Sequence, residues 1–249
     1  MRLTIIIAAS AATAALSIAA PAGAQERERL LSLWMVEPAP PPEGVRHLGS
    51  KEYVLKQRLL PTGLAEIGRS TLSGEIDAAL TEGTQLIEVK GASTPVYCEG
   101  ELKGRKQQCF VDADGNGSFE SWFKAMSTTP AFVTISGKMP KTLQPLANPI
   151  PYKVLDPAQS KLDAFVAIER RNWFNIYSRE SFMIVFGSED KKERISQPIQ
   201  FKSAEMPKEL TVLGARFTAL SEADGKMAIK VHSSMPAQPF GVIQTVSYR

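Results

Sequence analysis

Beyond residue 50 the chain sets apolar and polar positions in short runs separated by turn residues. The run "EYVLKQRLL" (52–60) is rich in apolar and long side chains, and "PTG" turns the chain after it. "GTQLIEV" (83–89) alternates around Leu86 and Val89. "AFVTISG" (131–137) puts Phe132, Thr134 and Ser136 on one face and Val133 and Ile135 on the other, the period of a strand. Further along come "LDAFVAIER", "NWFNIYS", "SFMIVFG", "QPIQFKS", "ELTVLGARFTAL", "KMAIKVH" and "FGVIQTVSYR". Each carries β-branched or aromatic residues and is bounded by polar or Gly/Pro turns, which predicts an antiparallel sandwich. Only "GEIDAAL" (74–80) has helical character, and Gly83 soon interrupts it. The predicted class is all-β, with two antiparallel β-sandwich-type modules after a short N-terminal helical or irregular segment. An outer-membrane barrel fits less well: the chain ends on Arg249, not an aromatic, and long strands with an uninterrupted apolar face are lacking.

Two proline-rich stretches punctuate this pattern. "PAPPPEG" (38–44) favours an extended spacer, and "PKTLQPLANPIPYKVLDP" (140–157) marks a second change in composition. The expected organisation is a signal peptide (1–24), an N-terminal segment with its spacer (25–48), a β module (49–145) and a C-terminal sandwich-like module (146–249).

The start of the chain has the layout of a bacterial-type export signal. Arg2 precedes the apolar stretch "LTIIIAASAATAALSIAA", Pro21 breaks it, and "AGA" (22–24) offers small residues for cleavage. Removal of 24 of the 249 residues leaves 225 beginning at Gln25, and net charge falls from +3 to +2 with the loss of Arg2. No cysteine stands near the cleavage site to carry a lipid, and no membrane span is expected after cleavage. The near-balanced charge, with basic residues scattered beside acids, argues against a nucleic-acid partner. A periplasmic or secreted location is expected, with an envelope or extracellular ligand as partner.

Export changes the meaning of the two cysteines. Cys98 and Cys109 are the only pair in the chain, ten residues lie between them, and Gly100 and Gly104 fall in that interval. An oxidising compartment lets such a pair close a hairpin, a contribution of roughly 3 kcal/mol on the chain-entropy model. Metal-binding thiols lack support, since there is neither a CxxC spacing nor a nearby histidine.

Immediately after Cys109 comes "FVDADGNGSFESW" (110–122), the one local pattern with specific chemistry. Side-chain oxygens recur at Asp112, Asp114 and Asn116, and Gly117 follows where a sharp turn would exclude a Cβ. Ser118 can offer its carbonyl, and Glu120 can bind directly or through water. Calcium takes six to eight such oxygens from a loop wrapped around it. The stretch resembles the calcium loop of EF-hands, dockerins and related DxDxDG repeats. The resemblance covers about nine residues and then departs from the pattern. Phe123 stands where an EF-hand has its bidentate glutamate, and the flanks read as strands, Phe119, Ser121 and Phe123 opposite Glu120 and Trp122. A missing acid would come from elsewhere, with Glu99 and Glu101 the first candidates. The resemblance implies a weak, structural Ca2+ site. Asp-Gly and Asn-Gly are also favoured in plain hairpin turns, and that alternative stays open.

Catalytic motifs are lacking. His47 and His232 have no partners at metal-ligand spacing, "GRSTLSG" (68–74) fails the GxSxG pattern, and no phosphate loop follows a strand. The most aromatic stretch, "RRNWFNIYSRESFMIVFG" (170–187), offers Trp173 and Tyr177 beside Arg170 and Arg171 as a ligand platform, whereas its phenylalanines read as core. The expected function is a non-enzymatic binding or scaffolding protein with a structural calcium loop. The alternative is a hydrolase of carbohydrate or peptide with carboxylates drawn from distant strands.

Overall fold

A computed structural model describes residues 29–72, 74–100, 106–126, 136–171, 179–195 and 198–241. The chain is all-β, as the alternation predicts, and its strands are numbered in chain order. The first ten are β1 (Arg29–Ser32), β2 (Trp34–Val36), β3 (Val45–Leu48), β4 (Tyr53–Pro61), β5 (Leu64–Ile67), β6 (Gln85–Lys90), β7 (Val96–Glu99), β8 (Lys106–Val111), β9 (Ser118–Met126) and β10 (Ser136–Lys138). The rest are β11 (Gln144–Leu155), β12 (Phe165–Arg171), β13 (Arg179–Gly187), β14 (Lys192–Arg194), β15 (Ile199–Lys202), β16 (Lys208–Val212), β17 (Ala215–Ala223), β18 (Lys226–Ser233) and β19 (Pro239–Phe240).

Among the described residues the strands form three sheets. The largest runs β10-β1-β6-β5-β11-β9-β8-β7, and an additional β6–β7 pairing brings β7 back onto β6, closing an antiparallel ring of β5, β6, β7, β8, β9 and β11. Closure leaves those strands without free edges, which removes an aggregation liability. The second sheet has the order β14-β13-β12-β4-β2-β19 with β15 alongside β13, and the third runs β16-β17-β18-β3. β1 to β4 are therefore shared among all three sheets.

Residues 29–36, expected as helix or irregular chain, are strands instead. Long-range pairing decides this: β1 bonds to β6 and β10, and β2 to β4 and β19. Residues 74–80 likewise hold turns and bends among the described positions, not a helix. Their amphipathic spacing has a tertiary use, since Ile76 and Leu80 join the apolar interior of the ring. The proline-rich stretch forms β11, which crosses residue 145 and pairs with both β5 and β9.

The ring interior holds Ile67, Leu86, Tyr97, Phe110, Phe119 and Trp122 with Leu146 and Ile150. The faces turned away from this interior belong to a second, continuous core. It gathers Ile87, Val96, Cys98, Cys109 and Phe123 from the ring with Leu59, Val166, Phe182 and Phe217 from the other sheets. Phe119 and Trp122 share the ring interior despite their odd spacing, contrary to simple alternation. The β11–β9 ladder is irregular beside this segment, with the extra residues on β11 between Pro145 and Ile150. Cys98 and Cys109 sit opposite one another on β7 and β8 and are joined at 2.02 Å, both fully buried.

Candidate metal centre

The loop 112–117 links β8 to β9, neighbours in the ring. Gly115 and Gly117 adopt φ of +75 and +85, and a Cβ on either would meet nothing within 4 Å. The glycines are therefore required by backbone conformation and not by space.

Asp112 organises the loop. It is 0 % exposed. Its Oδ1 accepts the N–H groups of Gly115 (2.7 Å) and Asn116 (3.2 Å), and its Oδ2 accepts the Gly117 N–H (3.0 Å) and the Tyr152 hydroxyl (2.8 Å). Those donors fill the roughly four lone-pair positions a carboxylate offers. Burial alone would push this carboxyl up. The Tyr152 hydroxyl and the Gly117, Gly115 and Asn116 amides outweigh it and hold the group below the usual aspartate range. The Tyr152 phenol is pushed up, first by burial and then by its bond to the Asp112 carboxylate and that group's charge.

The other two acids are less occupied. Asp114, exposed, accepts the Asn116 N–H at Oδ1 (3.1 Å) and the Asn116 Nδ2 at Oδ2 (3.0 Å). Glu120 is half-buried; its Oε2 accepts the Ala113 N–H at 2.9 Å, while its Oε1 is buried with no hydrogen-bond partner. One carboxylate oxygen from each of Asp112, Asp114 and Glu120 lies within 4.8 Å of the others. This acidic group can hold a metal ion. An ion entering it finds free lone pairs on Glu120 and Asp114, but gains an Asp112 oxygen only by displacing the Tyr152 hydroxyl or a loop amide.

The residues expected as ligands thus take different parts. Asp112 is the hydrogen-bond anchor, and Asp114 and Glu120 are the more open acids. Asn116 spends its Nδ2 on Asp114, and Ser118 opens β9 opposite Pro151. Glu99 does not join the group. Its Oε2 accepts the Gln108 N–H at 2.8 Å, further along the β7–β8 hairpin. Glu101 lies outside the described residues. Tyr152 escapes notice in the sequence; its only signal is the period of two that places it on the face of Ile150 in β11. The phenol is held by stacking on Phe119 at 4.3 Å, by Tyr97 at 5.3 Å and by a main-chain bond from Tyr152 N–H to the Gly117 carbonyl at 3.0 Å.

The arginine-rich stretch is structural where it is described. Arg170 is 0 % exposed, and its Nη1 donates to the carbonyls of Leu48 and Gly225, each at 2.7 Å. Its Nη2 reaches Glu180 and Glu222, each at 3.3 Å, so one guanidinium ties β12 and β13 to the third sheet. Arg171 pairs with buried Glu169 at 3.3 Å, which Arg194 also contacts. Phe182 and Phe186 are core, as expected. Trp173 and Tyr177 lie outside the described residues, as does the expected signal peptide. Among the described residues no helix is long and apolar enough to cross a membrane. Comparison with protein-family models, with curated proteins and with solved structures finds no match.

Proposed function

We propose that this chain is an exported envelope protein of binding or scaffolding type, and that its loop 112–120 holds calcium as a structural ion. The observation carrying the ion's part is Glu120 Oε1, a buried oxygen without a partner inside a group of three acids. An unpaired buried carboxylate oxygen is costly, and a cation relieves that cost. The donors are all oxygen, which favours a hard ion over one preferring nitrogen or sulfur. Calcium tolerates irregular coordination from a flexible loop better than magnesium does. Export is supported by the N-terminal pattern and by the Cys98–Cys109 bond, which oxidising compartments sustain. With few free ligands, affinity falls in the weak extracellular class, with Kd about 10⁻⁴ to 10⁻³ M.

Terbium titration tests the ion directly. Terbium stands in for calcium and is excited through tyrosine, and the Tyr152 hydroxyl touches Asp112. Tyrosine-excited emission should appear and be displaced by calcium. At millimolar calcium over a Kd of about 10⁻⁴ M, the native state gains roughly 1.4 kcal/mol. Glu120→Gln and Asp114→Ala should abolish both effects, while Glu209→Ala on β16 should not. Sodium at matched ionic strength must fail to reproduce them. A wild-type Tm unmoved by about 10 mM calcium, a large excess over that Kd, together with absent terbium emission, would leave the loop as a turn only.

A further inference from the structure

Asn116 precedes Gly117, and glycine offers no side chain to hinder attack by its own nitrogen on the preceding carboxamide. In that reaction the Gly117 nitrogen bonds to Asn116 Cγ and the Cγ–Nδ2 bond breaks. The amide proton leaves with Nδ2 as ammonia. Water then opens the succinimide at either carbonyl, giving aspartate or its β-linked isomer, so the net change is water in and ammonia out. Asn116 is exposed, so water is at hand.

Both reacting ends are tied down in this loop. The Gly117 N–H donates to the buried Asp112 carboxylate at 3.0 Å, and a proton held by an anion is harder to remove. The departing Nδ2 is held by Asp114 Oδ2 at 3.0 Å, and the Asn116 N–H is shared between Asp112 and Asp114 at 3.2 and 3.1 Å. Swinging Cγ onto the Gly117 nitrogen breaks the bonds at both ends. We propose that Asn116 is a deamidation site held in check by Asp112 and Asp114, so that opening of the loop sets its rate. Conversion places a further carboxylate beside the acidic group and strengthens cation binding; that consequence rests on the calcium reading above.

The test is deamidation of the full chain in mildly alkaline buffer, followed by peptide mass spectrometry at Asn116. The folded wild type should react about tenfold or more slowly than the same chain unfolded in urea, the factor set by losing one charge-assisted hydrogen bond. Asp112→Ala should approach the unfolded rate. Because that variant removes the loop's anchor, Asp114→Ala at an exposed position is the companion, checked for native circular dichroism and expected to react several-fold faster than wild type. Tyr152→Phe keeps the Gly117 bond but loosens the loop's tie to β11 and should react several-fold faster than wild type, whereas Glu209→Ala on β16 should stay near the wild-type rate. Equal rates in folded and unfolded wild type overturn the proposal, as does an unchanged rate in a folded Asp114→Ala. Asn116→Asp should bind terbium more tightly than wild type. Equal, measurable binding by both overturns the gain in affinity. Absence of binding by both removes the calcium reading, while the rate comparison still decides the deamidation.

Discussion

Tyr152→Phe removes one oxygen from the molecule and isolates what holds the loop to β11. The aromatic ring keeps its place against Phe119 at 4.3 Å, and the main-chain bond to the Gly117 carbonyl is untouched. Lost is the 2.8 Å hydrogen bond to Asp112 Oδ2. Bonds to a charged partner contribute about 1.5–3 kcal/mol net. Oδ2 still accepts the Gly117 N–H, so the lower figure applies, a loss of ~1.5 kcal/mol. In a chain of this size that lowers Tm by about 3–6 °C. The pH dependence follows from Asp112. Its carboxyl is held below its unfolded value, with burial opposing and the Tyr152 hydroxyl the largest of the bonds that lower it. Such a group stabilises the fold fully above the unfolded pKa, about 4, and the contribution is lost as pH falls through the folded value. The phenylalanine variant raises that folded value. The gap between the two proteins should therefore be complete at neutral pH and narrow as acid protonates Asp112 in both. Urea denaturation from neutral pH to about pH 3, below the usual aspartate range, measures it. A double-mutant cycle with Asp112→Asn gives the pairwise part. Equal stability at neutral pH, or a gap that is constant with pH, refutes the reasoning.

Arg170→Ala should destabilise by ~3–5 kcal/mol in urea denaturation, because it strands Glu180 and the Leu48 carbonyl in the core; Arg170→Met, which refills the volume, should cost less. Reduction of Cys98–Cys109 should lower stability by about 3 kcal/mol, and thiol labelling of the unreduced protein should be nil even after denaturation, since the bond takes up both sulfurs. Gly117→Ala meets no atom within 4 Å but forces alanine to φ +85, so a loss of about 1–2 kcal/mol should appear in thermal melts with the fold retained.

What was legible in the sequence is what neighbours along the chain decide. Alternation marked β6, and short apolar runs bounded by turn residues marked β4 and much of the C-terminal half, because both signals are written in adjacent residues. The cysteine spacing gave the hairpin, and the Asp-Gly and Asn-Gly pairs gave the sharp turns of the loop with their positive φ. Long-range pairing decided the rest. "QERERLLSLWMVE" carries no strand signature of its own, and β1 and β2 are strands because distant partners bond to them. Ring closure depends on β11, which pairs with both β9 and the distant β5, contacts that no local pattern encodes. Glu180 and Glu222 meet at Arg170 only once the sheets pack. The loop shows the division most clearly. Its sequence supplied Asp112, Asp114 and Glu120 as oxygens, but a hydroxyl forty residues away saturates Asp112. Ligand type is a property of residues, whereas the lone pairs left free for a cation depend on the tertiary structure, because other parts of the chain compete for them.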